Sequence, residues 1–528
     1  MLDISKRIPA FRPTIGHRGR ARQCATALLV LALAACGAQS TLPKVYTPQV
    51  RLAGYAAADE PRAVKAAQDI LAQGGTVADA GVALALTLTV TLPSRASLGG
   101  GGACLIRGGR DPTEDQPLFG GQGGIFGPNH RNDPVPTQSI EFLPGAGKEG
   151  GALGLPALAR GLYAIHAKYG KLHWEQIVAG AENMARFGVP VSRAFVNDIA
   201  AARAEITGPD GKPLAEGDVL PQGELANSLA ALRTRGAGDM YIGRLAKDYV
   251  AGSGGEIDAA ALRDVAPKWQ DPVGVPFGNN VAYFSPTPGG DFAEKLWRGI
   301  NDAPAGSNFV GRLFDRMSGD GGGGAATIVQ RAVAIADRSA SLLPPASPAA
   351  GTPSALGGDA ATGFVVVDYR GAAMACTLTM GRFFGAGRLI GNTGILASLP
   401  VPGPRSDGLS GAALLVTNDN VRKLLGAFAS GGDRSGAQVM VETALNALAS
   451  PLTLDQAMLT PRVYAAAPGE ILAEPGLPLG QRATAETAKL GAVNGFACPS
   501  GLPGNDQECA VAADPRGAGL TALAERKR

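Results

Sequence analysis

Histidine is scarce in this sequence, with four residues among 528, and none is grouped with cysteines or carboxylates at metal-ligand spacing. A metal centre is therefore not expected, and no motif calls for another cofactor. Charged residues are also few, at 18%, and the formal net charge is only +3. No basic stripe is interleaved with aromatic residues, so nucleic acid is not expected as a partner. The 45% of hydrophobic residues predicts a globular chain, long enough for two or more domains or one large α/β body.

Long apolar runs are missing too, which argues against a membrane-spanning body. A spanning helix needs about 18 to 20 apolar residues, whereas the run near the N terminus extends only from Ala25 to Ala35. Basic residues precede this run and Cys36-Gly37 follows it, a pattern typical of a secretory signal and similar to the bacterial lipoprotein box. We therefore expect a lipoprotein signal over residues 1–36 and a linker over residues 37–55. Lipidation of Cys36 would anchor the chain to a membrane, facing the periplasm; the alternative is a plain signal peptide with an incidental cysteine.

Cysteine is limited to six residues, and their settings differ. In an exported chain disulfides can form. Cys498 and Cys509 flank a Gly/Pro-rich loop and are candidates for a small bridge, although spacing alone does not decide the pairing. Cys104 and Cys376 lie in apolar, strand-like runs, so they are expected to be buried free thiols.

The stretch from Gly357 to Leu396 predicts a buried hairpin behind a flexible loop. A Gly/Ala/Pro/Ser run leads to Thr362, an apolar run follows from Phe364 to Val367, and a second strand is expected from Ala373 to Met380. A hydroxyl residue at the head of a buried strand suits an N-terminal nucleophile. Cleavage before Thr362 would free an α-amine that can accept the proton of its own hydroxyl. The other interpretation is a surface loop before an ordinary core hairpin.

Several blocks of the sequence resemble one known family. The segment ILAQGGTVADAGVALALTLTVTLPSRASLGGGGACLI, from Ile70 to Ile106, is similar to the N-terminal signature of the γ-glutamyltransferases, or glutathione hydrolases. Further similar blocks follow in the family's order: Gly154 to Ser192, Leu214 to Gly243, Pro286 to Leu296, Ala336 to Ser339, Gly357 to Leu396, Leu409 to Tyr464 and Asp514 to Arg516. The resemblance covers nearly everything after about residue 55.

The resemblance implies an α+β fold, a four-layer αββα sandwich with two stacked, mostly antiparallel sheets between helical layers. It implies a precursor that cuts itself into a large segment, residues 56–361, and a small segment, residues 362–528, which remain together as a heterodimer. The freed Thr of the family attacks a γ-glutamyl amide such as glutathione and passes the acyl group to water or an amino acid. By the same resemblance Thr362 would be the nucleophile, Thr379 would lie beside it, and Gly431 and Gly432 would donate backbone N–H groups to the oxyanion.

The nucleophile position departs from the family pattern. Alignment on Asp368 places Ala361, not Thr362, where the family has its nucleophile. A shift of one residue turns a strand side chain to the opposite face. Thr362 can therefore serve only if a bulge or a shorter turn absorbs the shift.

The substrate-binding positions depart as well. The Arg that grips the substrate carboxylate falls on Leu143, the second-strand Asn on Gly381, and the paired serines on Asp407 and Gly408. No acid for the substrate amine is evident between residues 396 and 405. Asp433 remains a candidate substrate-site charge or a solvated loop residue.

Two hypotheses follow from these similarities to the family and departures from it. The first is a self-processed hydrolase or acyltransferase that uses Thr362 on a γ-glutamyl compound or another small-molecule amide or peptide. The second is a catalytically inactive relative that keeps the fold for binding or scaffolding at the cell envelope. A further alternative, independent of the resemblance, is a transport or structural lipoprotein unrelated to the family.

Overall fold

The computed structural model describes residues 52–108, 136–208, 210–301, 325–343, 361–401, 411–467, 469–477, 479 and 483–525. These residues belong to one compact unit, Arg51–Arg528. None of the helices within these ranges combines the length and the apolar character that crossing a membrane requires.

Two antiparallel sheets form the centre of the fold. The strands, in chain order, are β1 (Leu52–Ala58), β2 (Gly101–Arg107), β3 (Thr137–Phe142), β4 (Val189–Pro190), β5 (Val219–Leu220), β6 (Lys268–Gln270), β7 (Val273–Phe277), β8 (Asn280–Phe284), β9 (Ala361–Asp368), β10 (Ala373–Thr379), β11 (Ala413–Asn418), β12 (Lys423–Gly431), β13 (Val463–Ala467), β14 (Glu470–Ala473), β15 (Ala485–Glu486), β16 (Ala492–Leu502), β17 (Ala510–Ala512) and β18 (Leu520–Glu525). The first sheet has the order β18-β1-β9-β10-β2-β3-β6, and the second has the order β17-β16-β12-β11-β8-β7. All neighbouring strands in these two sheets run antiparallel.

Helices follow the strands in several blocks. In chain order they are α1 (Pro61–Ala72), α2 (Val77–Thr91), α3 (Leu158–Tyr169), α4 (Trp174–Phe187), α5 (Arg193–Ala202), α6 (Gly223–Arg235), α7 (Asp239–Ile242), α8 (Arg244–Gly252), α9 (Ala259–Asp264), α10 (Pro288–Asn301), α11 (Ala325–Leu342), α12 (Gly436–Leu448) and α13 (Leu454–Leu459). Helices α1 to α8 contribute to the apolar core on the outer face of the first sheet, and α10 and α12 to the core on the outer face of the second.

Alternation along the strands shows how the layers stack. In β9, Val365 and Val367 pack with Leu415 of the second sheet, so they lie between the sheets. Phe364 and Val366 alternate with them and pack in the core that contains α1 and α2. Two stacked sheets therefore lie between helical layers, which confirms the predicted αββα sandwich.

Helix α2 is enclosed on all sides. Its sequence is predominantly apolar, and every residue of α2 is buried. A capping box starts this helix: the Asp79 backbone N–H donates to the Thr76 hydroxyl (3.1 Å), and the Thr76 N–H donates to the Asp79 carboxylate (2.9 Å). The same carboxylate accepts the N–H of Lys171 at 2.9 Å, so it also holds the loop between α3 and α4.

The hairpin predicted from the apolar runs is formed by β9 and β10. Asp368 ends the first strand and accepts two backbone N–H groups of the turn, each at 2.9 Å. Gly371 has a φ of 82°, the left-handed region that glycine adopts without strain. The pairing runs without a bulge from Ala361 opposite Thr379 to Val367 opposite Ala373.

The cysteines form two disulfides in the described residues. Cys104 and Cys376 are bonded to each other, so the expectation of buried free thiols is wrong. Both are fully buried, but antiparallel pairing of β2 with β10 places them directly opposite, with Cα atoms 4.1 Å apart. Cys498 and Cys509 form the small bridge that the sequence left open. Residues distant in sequence meet in the first bridge, which explains why composition alone did not reveal it.

Candidate functional site

The two sheets meet through backbone hydrogen bonds at one end of the sandwich, where β9 begins and β12 ends. The Ala361 N–H donates to the Gly432 carbonyl oxygen at 3.1 Å, and the Gly432 N–H donates to the Ala361 carbonyl oxygen at 2.8 Å. Gly431 lies opposite Ala492, the first residue of β16. The residue that stands at this junction of the sheets is therefore Ala361, the position that alignment gave to the nucleophile.

The paired glycines permit this close approach. A Cβ atom at Gly431 would lie 2.7 Å from the Thr362 Cα and 2.7 Å from the Ala361 carbonyl oxygen. Gly432 has a φ of 90°, which side-chain-bearing residues rarely adopt. The Gly432 N–H is one of the two predicted oxyanion donors, and in this structure it already donates to the Ala361 carbonyl.

Thr362 lies one residue further along and turns to the other face. It pairs with Leu378, which packs in the helix-side core, and it alternates with Ala361. Its side chain is fully buried, and its hydroxyl donates to the Asp59 Oδ2 atom at 2.8 Å. The structure thus brings the backbone of Thr362 close to Gly431 but directs its hydroxyl to Asp59.

Asp59 follows β1 directly and is the centre of a buried polar network. The Asn494 Nδ2 atom donates to the Asp59 Oδ1 atom and to the Gly363 carbonyl oxygen, each at 2.8 Å. Burial raises the pKa of Asp59, and the charge of Arg95 and the hydrogen bonds from Asn494 and Thr362 oppose that rise. A carboxyl group with a raised pKa beside a hydroxyl can accept its proton, provided that a substrate can reach the pair.

Arg95 connects this network to helix α5. Its Nε and Nη2 atoms donate to the Asp198 carboxylate at 2.7 and 2.6 Å, and its Nη1 atom lies 3.4 Å from Asp59. The Ser94 hydroxyl donates to the same Asp198 carboxylate at 2.6 Å. Although burial works against it, the carboxylates of Asp198, Asp59 and Asp433 raise the pKa of Arg95. Arg95 therefore remains a cation, and its guanidinium is bound within the protein.

Thr379 and Gly381 lie at the end of β10. Thr379 is opposite Ala361, and its hydroxyl accepts the backbone N–H of Gly381 at 2.9 Å. Gly381 has a φ of 82°, and a Cβ atom there would lie 2.9 Å from the Leu399 Cβ. Gly381, the position that the resemblance assigns to the family's Asn, thus has a conformation and a space that disfavour any larger residue.

The remaining predicted substrate positions offer little polar chemistry. Leu143 precedes Pro144, whose carbonyl oxygen accepts the N–H of the buried Val401 at 2.8 Å. The Asp433 carboxylate accepts the backbone N–H of Ser435 at 2.9 Å, and thus caps the segment leading into α12. Asp407, Gly408 and the lipidation candidate Cys36 lie outside the described residues. Within the described ranges, no group of three or more His, Cys, Asp or Glu residues is arranged to hold a metal ion.

Sequence reasoning missed the residues that surround Thr362. Asp59, Arg95, Asp198 and Asn494 belong to different blocks, and Asp59 contacts residues 303 and 435 positions away. The one local signal is the Asp59-Glu60-Pro61 sequence, which is typical of a helix start and indicates a cap. Glu60 does cap α1, by accepting the Ala63 N–H at 2.9 Å, but nothing local indicates what Asp59 contacts.

Comparisons with known proteins are consistent with this architecture. The family model for gamma-glutamyltranspeptidase matches residues 63–296. The glutathione hydrolase proenzyme of Bacillus subtilis (strain 168) is 27% identical over 240 residues, which cover 42% of this chain and 39% of that protein. Human glutathione hydrolase 7 is 30% identical over 208 residues, covering 37% of this chain and 30% of the relative. The crystal structure of cephalosporin acylase from Bacillus halodurans is 17% identical, with a TM-score of 0.64, and covers 92% of this chain and 99% of that one.

The four layers, the β9–β10 hairpin and the near-complete structural match define an N-terminal-nucleophile hydrolase fold. Within this fold, residues 63–296 are distantly homologous to the gamma-glutamyltranspeptidase, or glutathione hydrolase, family. The match to the Bacillus subtilis relative spans about two fifths of that protein's length (39%). The residues that the family model matches, 63–296, all precede Thr362.

Proposed function

We propose that this chain remains uncut and is a non-catalytic member of the γ-glutamyltranspeptidase fold, with a binding role at the cell envelope. One observation carries the proposal. Ala361, which has no hydroxyl, exchanges backbone hydrogen bonds with Gly432, while the hydroxyl of Thr362 is directed to the buried Asp59. A side chain without a nucleophilic atom cannot attack an amide.

The surroundings of the candidate cleavage site support an intact chain. The peptide bond between Ala361 and Thr362 lies inside the β9–β10 ladder, where Ala361 pairs with Thr379 and Thr362 pairs with Leu378. Both residues are fully buried. Cleavage there would interrupt a paired strand and the hydrogen bonds to Gly432, so the fold favours keeping the bond.

The substrate positions support the loss of γ-glutamyl chemistry. A γ-glutamyl group has a carboxylate and an ammonium, and both need partners when they leave water. Leu143 supplies no charge, and Gly381 supplies no side chain. Loss of one buried charge partner costs about 2–5 kcal/mol of binding, or between one and several powers of ten in affinity.

The placement at the envelope rests on the N-terminal segment and on cysteine chemistry. Residues 1–36 have the lipoprotein-signal pattern, with Cys36 as the acylated residue and residues 37–55 as a linker. Two disulfides, Cys104–Cys376 and Cys498–Cys509, require an oxidising compartment such as the periplasm. The signal pattern favours a membrane anchor, and the disulfides favour the periplasm.

A second candidate function is a self-processed amide hydrolase that uses Thr362. The hydrogen bond from the Thr362 hydroxyl to Asp59, whose pKa is raised, favours it, because that carboxyl group could serve as the base. In this case residues 56–361 and 362–528 would form a heterodimer, and the substrate would be a small amide or peptide. The enclosed position of Thr362 is the observation against it.

Acylation and turnover separate the two candidates. The oxidised protein is incubated with an electrophilic glutamine analogue and, separately, with a chromogenic γ-glutamyl anilide, next to a Thr362→Val variant. We expect no covalent adduct by mass spectrometry and equal background hydrolysis from both proteins. An adduct on Thr362, or turnover that disappears in the variant, would overturn the non-catalytic proposal.

A further inference from the structure

A cavity of about 650 Å³ opens beside the Asp59 network. The first residues of α1 and of α5 line it, together with Gly217 and the small residues from Gly517 to Gly519. A Cβ atom at Gly517 would lie 4.0 Å from the Asp59 Oδ1 atom, so the cavity adjoins the network without including Thr362 among its lining residues. Its volume is in the range of small-molecule sites, about 300–1,000 Å³.

Of the four charged side chains that line this cavity, three are cationic. Arg62, Lys65 and Arg193 contribute three positive charges, and Glu216 contributes one negative charge. These lining charges sum to +2, and the carboxylates of Glu60 and Asp69, which pair with Arg62 and Lys65, lie outside the lining. Such a surface attracts a small ligand with two or more negative charges.

Arg193 and Lys65 are held by partners that a ligand can replace, whereas Arg62 pairs with the buried Glu60 at 3.2 Å. Arg193 pairs with Glu216 at 3.0 Å, but the two side chains are 70% and 50% exposed. Lys65 pairs with Asp69 one helical turn away, and both are exposed. Exposed pairs of this kind contribute little to stability, so redirecting these cations towards a ligand anion has a small cost.

The helix starts add fixed partial charge of the same sign. Helices α1 and α5 both begin at the cavity, at Pro61 and Arg193, and the N-terminal end of a helix is positive. Their caps are already supplied, by Glu60 for α1 and by Ser192 for α5. The helix ends therefore reinforce the field of the cationic side chains, while these side chains provide the direct contacts.

We propose that this cavity binds a small polyanion that carries phosphate or carboxylate groups, and that Arg62, Lys65 and Arg193 contact it. The ligand site thereby lies on the β1 side of β9, whereas Leu143 and Gly381, the positions of the lost γ-glutamyl site, are on the β10 and β3 side. This inference deepens the proposed binding role and supplies its ligand class.

Calorimetric titration of the full oxidised protein tests the inference, with pyrophosphate in one arm and citrate in the other at about 50 mM salt. We expect one of the two to bind, with affinity that falls as salt is raised. Arg193→Gln and Lys65→Gln should each weaken binding by roughly 3- to 10-fold, because each removes one exposed positive charge near the anion. The stronger arm identifies phosphate or carboxylate as the preferred group.

Lys268→Gln is the matched control, because Lys268 is exposed and belongs to β6, at the opposite edge of the first sheet from β1 and β18. It should bind like the wild type. The proposal is wrong if neither anion binds at millimolar concentration, or if the two cavity variants bind as tightly as Lys268→Gln. If the anion-binding proposal is wrong, the titrations show no binding but Thr362 still gains no adduct. If the proposed non-catalytic function is wrong, the acylation assay gives an adduct on Thr362. The two outcomes are therefore distinguishable.

Discussion

The Cys104–Cys376 disulfide should be the strongest single covalent constraint on this fold. It joins directly opposed residues of β2 and β10 and closes a loop over a sequence separation of 272 residues. The Cys498–Cys509 disulfide closes a separation of only 11. Since a cross-link stabilises the native state chiefly by restricting the unfolded chain, the longer loop should contribute more.

The magnitudes follow from loop length. The chain-entropy relation gives about 5.5 kcal/mol for the Cys104–Cys376 loop and about 2.7 kcal/mol for the Cys498–Cys509 loop, a difference of about 3 kcal/mol. Both Cys104 and Cys376 are fully buried, so replacing their sulfur atoms also removes packing contacts and adds to the cost of the first change.

Guanidinium unfolding of the oxidised protein provides the assay, with wild type, Cys104→Ala/Cys376→Ala and Cys498→Ala/Cys509→Ala measured in parallel. We expect the first double variant to lose roughly twice as much unfolding free energy as the second. Equal losses, or a larger loss for Cys498→Ala/Cys509→Ala, would refute the reasoning from loop closure. Circular dichroism before denaturation verifies that each variant retains the native strand content.

Three further changes test the junction and the buried charges. Thr362→Val should lower the unfolding free energy by about 1–2 kcal/mol, because Asp59 loses a buried hydrogen-bond donor. Thr362→Ser keeps the donor and should lose only the roughly 0.8 kcal/mol of one buried methyl group. Unfolding curves that leave valine equal to threonine would contradict the role of the hydrogen bond. Gly431→Ala should lower the unfolding free energy by about 3 kcal/mol, because its Cβ atom would meet β9 backbone atoms. Gly180→Ala, in open space within α4, should raise it by about 0.5–1 kcal/mol. Thermal unfolding that ranks the two variants the other way would count against the packing argument. Burial raises the pKa of Glu442 to about 7 from its usual 4.5, so the folded state retains a proton that the unfolded state releases as the pH rises through this range. The unfolding free energy of the wild type should therefore fall by up to about 3 kcal/mol as the pH is raised from 4.5 to 7. Glu442→Gln should flatten this dependence, and an unchanged pH profile in the variant would exclude Glu442 as its source.

Local patterns were sufficient for the elements that carry their own signal. Helix α2 was predictable because a capping residue precedes a predominantly apolar segment, and the β9–β10 hairpin because two apolar runs flank an Asp-Tyr-Arg-Gly turn. The αββα arrangement was predicted from the resemblance, because no single segment of the sequence indicates how the two sheets stack. The helix and the hairpin could be predicted because residues close together in the sequence determine each of them.

Contacts between segments that are distant in sequence could not be predicted from the sequence. The pairing of Cys104 with Cys376 depends on the register of β2 against β10, which neither strand specifies alone. Alignment identified Ala361 at the nucleophile position, but the orientation of Thr362 depends on whether β9 contains a bulge. The structure has no bulge between Ala361 and Val367, and Asp59 supplies the partner for the displaced hydroxyl.

Intact-mass analysis of the reduced and denatured protein tests most directly whether Ala361 has replaced the nucleophile. Reduction is essential, because the Cys104–Cys376 bridge would hold two fragments together if the chain were cut between them. We expect one polypeptide, continuous through Ala361 and Thr362. Two polypeptides, the smaller beginning at Thr362, would contradict it.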